Sequence, residues 1–162
     1  MLTPIKKILF ATTLEPDTRP VTRMAATMAV QFQAKVMMVF ATEPLGSYGS
    51  AILESYLTKE QIKQLETKGQ QELDKTIETK IKNFFEEEML SEPDYQKLLD
   101  KVIVRHANPV DLILNSAEKY DADLIVMGKV KHKPVDKMFT GSVARKVVKL
   151  SKTPILVVPL NQ

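Results

Sequence analysis

The 162-residue chain has no cysteine and no tryptophan, only five glycines, and 6% aromatic residues. Without cysteine there are no disulfides and no thiolate metal sites, which fits a reducing compartment. The scarcity of aromatics argues against nucleic-acid binding. The pI is about 9.0 and the net charge +3, but acids and bases are interspersed rather than gathered on one face with aromatics between them. No apolar run approaches the roughly 18 to 20 residues of a membrane span. The opening "MLTPIKKILFATT" has too short an apolar part for a signal peptide and reads as a first strand. Catalytic signatures are missing too. There is no G-x-S-x-G nucleophile elbow, no G-x-x-x-x-G-K-[ST] phosphate loop, no G-x-G-x-x-G fingerprint and no H-E-x-x-H. The two histidines, His106 and His132, are not at metal-ligand spacing, and no acid is in view to pair with His106 for proton transfer.

What is present is an alternation of periods. Ile5 to Thr12, Val36 to Phe40, Asp100 to Ala107, "DLIVMG" and "TPILVVPL" are short apolar runs bounded by proline, glycine or charge, as strands buried on both faces should be. The last starts after Pro154 and is stopped by Pro159. Between them lie helical patterns. Val21, Met24, Ala25, Met28, Ala29 and Phe32 form one stripe, and Asp17 suits that helix's start. Ile62, Leu65, Gly69, Leu73, Ile77, Ile81 and Phe84 form another, in a helix from Thr58 to about residue 89 with Gly69 inside it and a Thr58/Gln61 capping box. The acidic run Glu86 to Glu88 reads as solvated surface. Asn108, Pro109 and Asp111 open a third helix as cap, first-turn proline and dipole partner. A fourth opens at Gly141 and Ser142.

The order βαβαβαβαβ specifies one α/β domain over 1–162: a three-layer, Rossmann-like sandwich with a five-stranded parallel sheet and helices on both faces. Ligands of such sheets bind beyond the carboxyl ends of the strands, here after Thr12, Ala41, His106 and Gly128. The stretch "GKVKHKPVDKMFTGS", Gly128 to Ser142, is the candidate anion site. Gly128 ends a strand, Gly141 admits close approach, Ser142 can cap the helix or bind an anion, and Lys129, Lys131, Lys133 and Lys137 raise the local potential. A solvated connection with the same glycines is the alternative.

"ILFATT", "NPVDLIL", "DLIVMGK", "TGSVARKVVK" and "TPILVVP", in that order, resemble the universal stress protein family across essentially the whole chain, most loosely over 45–100. The resemblance implies an adenine nucleotide alpha hydrolase-like fold, a cytoplasmic location and a homodimer formed through the last strand, about 154–160. It also implies a site for ATP or another adenine nucleotide with magnesium in some members and none in others. The family's G-x-x-G loop, nine further residues and G-[ST] map onto Gly128, Gly141 and Ser142, with Lys131 in place of the middle glycine. Lys131 either crowds a phosphate or supplies charge to it. Val143 follows as a further contact. Thr13 stands where binders carry an aspartate, Ala41 where a valine touches the base, and Ala107 where a glycine precedes x-P. The residues that depart are the ligand-specific ones. The expectation is therefore a non-catalytic, dimeric stress-response regulatory protein with a degenerate or altered phosphate site and no cofactor fixed by the residues. The alternative is an ATP- or AMP-binding protein using the same loop. Protein partners are compatible with both, and a nucleotide hydrolase is a third reading without an evident general base.

Overall fold

The computed structural model describes residues 1–12, 18–42, 58–60, 69–89, 92, 95–130 and 140–160. Five strands, β1 (Lys7–Ala11), β2 (Lys35–Ala41), β3 (Leu99–Arg105), β4 (Leu124–Val130) and β5 (Ile155–Leu160), form one sheet in the order β3-β2-β1-β4-β5. All four pairings are parallel. The principal helices are α1 (Arg19–Phe32), α2 (Gln70–Glu88), α3 (Pro109–Lys119) and α4 (Thr140–Leu150), with a short 3-10 turn at Tyr95–Lys97. Among the described residues no helix is long and apolar enough to cross a membrane.

The near-continuous apolar strands are explained by two separate cores. Ile8, Phe10, Val36, Met38, Leu124 and Val126 point to one face and meet Val21, Ala25, Ala29, Ile77, Ile81 and Phe85 of α1 and α2. Leu9, Met37, Val39, Ile125 and Met127 point to the other and meet Val110, Ile113, Ala117, Ala144 and Val147 of α3 and α4. Side chains alternate along a strand, so a strand covered on both sides cannot afford a polar residue in either phase.

The two long helices differ from expectation in instructive ways. On α1 the buried residues are Val21, Thr22, Ala25, Ala26 and Ala29, whereas Met24 and Phe32 are exposed. The three alanines let the helix axis lie close to the sheet, which turns the bulkier Met24 and Phe32 out to its flanks. Gly69 is not inside a helix. It has φ +88, a conformation few residues other than glycine adopt, and stands immediately before α2 as its N-cap. The Thr58/Gln61 box and the stripe residues Ile62 and Leu65 involve positions outside the described residues. The buried edge of α2 then runs Ile77, Ile81, Phe85 and Met89, with Phe84 half-buried beside it. Nor is Glu88 simply solvated. Its largely buried carboxylate takes Arg23 Nε at 2.9 Å and Arg19 Nε at 3.4 Å, tying the end of α2 to the first turns of α1.

Two strands run on past the expected stops. β4 continues beyond Gly128 to Val130, and β5 passes through Pro159 to Leu160, with Gly128 opposite Val158 and Lys129 opposite Pro159. A proline lacks the N–H donor, and β5 is an edge strand, where that loss is tolerated.

At the opposite end of the sheet, Asp123 fastens β1 to β4. Its Oδ2 accepts from the backbone N–H groups of Lys6 at 2.8 Å and Lys7 at 2.9 Å, while its own N–H donates to the Lys7 carbonyl at 2.8 Å. Asp123→Ala leaves two amides without their carboxylate acceptor and is expected to lower unfolding free energy by about 2 kcal/mol, read by urea denaturation.

Candidate functional site

Along β1, β2 and β3 the chain steps outward in one direction, then crosses to β4 and β5 on the other side of β1. Helix α1 covers one face of the sheet and α4 the other, so the carboxyl ends of β1 and β4 form the topological switch point, where sheets of this kind bind ligands. Ala11 stands opposite Met127 across that boundary. Thr12, the next residue, is buried, and its N–H donates to the Val39 carbonyl at 3.1 Å, holding the rim of β1 against β2.

Of the residues proposed from sequence, four lie on the elements at this edge. Ala41 is the last residue of β2 and half-buried. Gly128 lies within β4, two residues short of its end, where a missing side chain lets backbone or ligand come close. Gly141 and Ser142 are the second and third residues of α4, because the helix begins at Thr140. Ser142 is therefore not the cap. At the helix start the N–H groups of Thr140, Gly141 and Ser142 have no acceptor within the helix. Those amides and the helix dipole make the start of α4 favourable to an anion. Val143 is half-buried and packs on the core shared by α3 and α4. Thr13 and Lys131 lie outside the described residues.

The β2 side of the edge holds groups that sequence reasoning did not single out. The Thr42 N–H donates to the Arg105 carbonyl at 2.9 Å, extending the β2–β3 ladder past Ala41. Thr42 Oγ1 donates to Asp74 Oδ1 at 3.2 Å in a partly buried setting. Asp74 is the fifth residue of α2. Its position depends on how the 43–69 connection returns to the sheet, and no local motif encodes that. Farther along, Arg105 and His106 are exposed, and one guanidinium nitrogen of Arg105 donates to the Val104 carbonyl at 2.7 Å. Asn108 caps α3 as its sequence suggests, its Oδ1 accepting from Val110 at 3.0 Å and Asp111 at 3.2 Å. Among the described residues no three His, Asp or Glu side chains converge as a metal site requires.

Comparison with known proteins agrees with this architecture. Residues 4–159 match the sequence model of the Universal stress protein family. Universal stress protein MJ0531 of Methanocaldococcus jannaschii is 30% identical over 158 residues, covering 94% of this chain and 81% of its own. A universal stress protein crystallised in complex with cAMP matches with a TM-score of 0.61 at 20% identity, over 98% of this chain and 100% of its own. The universal stress protein from Archaeoglobus fulgidus in complex with dAMP matches with a TM-score of 0.57 at 21% identity, over 96% and 99%. At those identities the two structures show the shared fold.

Asn108→Ala removes the acceptor of two first-turn amides and is expected to cost about 1 kcal/mol of stability, measured by thermal or urea unfolding.

Proposed function

Because the chain belongs to the universal stress protein family over residues 4–159, we propose that it is a non-catalytic stress-response regulatory protein that takes an adenine nucleotide through an altered site. The observation that carries this reading is the switch point between β1 and β4, followed by α4, whose first three amides lack helical acceptors. Two structural neighbours are described with cAMP and dAMP, both adenine nucleotides with a single phosphate. A monophosphate also suits an anion site built from one helix start. The alteration lies at Thr13 and Lys131, which replace an acid and a glycine of the family pattern. Magnesium is a variable of the test rather than part of the site.

Homodimerisation through β5 belongs to the same proposal. β5 is an edge strand whose Ile155, Leu156 and Val157 are only half-buried. An apolar edge of this kind invites pairing, and a two-fold axis satisfies it with a second copy of itself.

Calorimetric titration of the purified chain with AMP, cAMP and ATP, with and without magnesium, is expected to give saturable one-to-one binding of at least one of them. Gly141→Trp places a bulky side chain in the first turn of α4 and is expected to abolish that binding. Absence of binding by any of the three would leave a protein that works through partners alone. Sedimentation equilibrium is expected to return twice the 18.3 kDa chain mass; a monomer would remove the edge-strand pairing.

A further inference from the structure

We propose that the flank of α1 carrying Met24, Met28 and Phe32 is seated against the same flank of a second copy of the chain, so that a helix pair closes the dimer together with its edge strands. The inference rests on the pairing through β5 proposed above and adds the surface that gives the pair its area. Helix α1 packs on β5 and β4 as well as on β1 and β2. Arg19 and Arg23 reach Glu88 of α2 from one flank, and Val30 shares that side by its helical spacing. Met24, Met28 and Phe32 recur at every fourth position and stack on the opposite flank, which faces the β5 edge of the sheet.

Met28 is partly buried against the core, while Met24 and Phe32 are each 38% exposed. From Met24 to Phe32 the helix has no charged residue, whereas α2 on the same face of the sheet has one in every turn. A row of large apolar side chains without charge has the composition of an interface core. Strand β5 is six residues long, and edge pairing alone covers only a fraction of the roughly 800 Å² per partner of a stable interface. The flanking helix supplies the remainder. A two-fold axis perpendicular to the sheet pairs β5 antiparallel with its copy and keeps like faces on the same side. At ordinary strand spacing, the stretch of α1 over β4 and β5 then lies about 10 Å from its symmetry mate, the distance at which helices pack. The two helices run antiparallel there. Met28 meets the partner's Met28 near the axis and Met24 meets the partner's Phe32, the reciprocity that a self-complementary contact requires.

The test uses the absence of cysteine from the chain, which makes any introduced thiol unique. Met28→Cys, treated with a short bis-maleimide, is expected to give a covalent dimer on a denaturing gel. Val30→Cys, on the α2 side of the same helix and 44% exposed, is expected to remain monomeric on that gel. Met28→Glu sets two carboxylates against each other at the axis and is expected to weaken dimerisation about a hundredfold by sedimentation equilibrium, with Val30→Glu unchanged. The cysteine pair decides the matter if Met28→Glu fails to fold. A wild-type dimer in which Met28→Cys crosslinks no better than Val30→Cys overturns the seat on α1 and leaves β5 pairing intact. So does a folded Met28→Glu that dimerises as tightly as the wild type. A wild-type monomer overturns both.

Discussion

The organisation of the molecule depends on β1 being hydrogen-bonded on both sides, to β2 and to β4, while the crossovers leave it toward opposite faces. That constraint puts Leu9 under one helical layer and Ile8 and Phe10 under the other, and excludes polar groups from the interior of the strand. Polar groups can then gather only where the strands end. At the amino end Asp123 closes the β1–β4 seam with two amide contacts. At the carboxyl end the same seam is the topological switch point, with α1 and α4 on opposite faces of the sheet.

The open edge is divided chemically. Toward β4 it offers backbone: Gly128 and the first amides of α4, which suit negative charge. Toward β2 it carries the Thr42–Asp74 hydrogen bond, which docks the beginning of α2 on the strand end. The return of α2 to the sheet is fixed by more than apolar packing. Phe85 and Ile81 bury it, Glu88 ties its far end to Arg19 and Arg23, and Thr42 engages its beginning. The Glu88 side chain is largely buried and meets two guanidinium groups, but both arginines are mostly exposed, so solvent screens the pairs and their contribution is modest.

Legibility followed the range of the interaction. The strands were readable because burial on both faces forces runs such as "VMMVF", and the Asn108 cap because cap and amides lie within three residues. Helix-face assignments were less secure. Apolar spacing placed Met24 and Phe32 inward, but Ala25, Ala26 and Ala29 bring the helix so close to the sheet that the large residues are displaced. Gly69 fits a helical period in the sequence and a helix boundary in space, since only its positive φ distinguishes the two. Pro159 is a strand stop in a central strand and harmless on an edge, and sequence alone does not reveal which strand is the edge. Strand ends and glycine spacing put Ala41, Gly128, Gly141 and Ser142 at the ends of β2 and β4 and the start of α4, because those positions are set by local sequence. Local spacing missed the contact of Asp74 with Thr42, made across 32 positions of chain, and it reads Glu88 as surface because Arg23 is 65 residues away.

The division of the edge also bears on how occupancy could be felt elsewhere. Gly128 is paired with Val158, so the carboxyl edge of β4 meets the edge strand through the sheet itself. Proximity alone does not couple two places; coupling requires an element with two arrangements whose balance the ligand shifts. A fully laddered parallel sheet is a poor element of that kind, because moving one strand breaks several hydrogen bonds together. Helix α2 is a better one. Its polar ties sit at its two ends: Thr42 to Asp74 at the beginning, and Glu88 to Arg19 and Arg23 at the far end. A shift of α2 on its apolar seat of Ile77, Ile81 and Phe85 is therefore passed through Glu88 to the start of α1 without breaking a strand ladder.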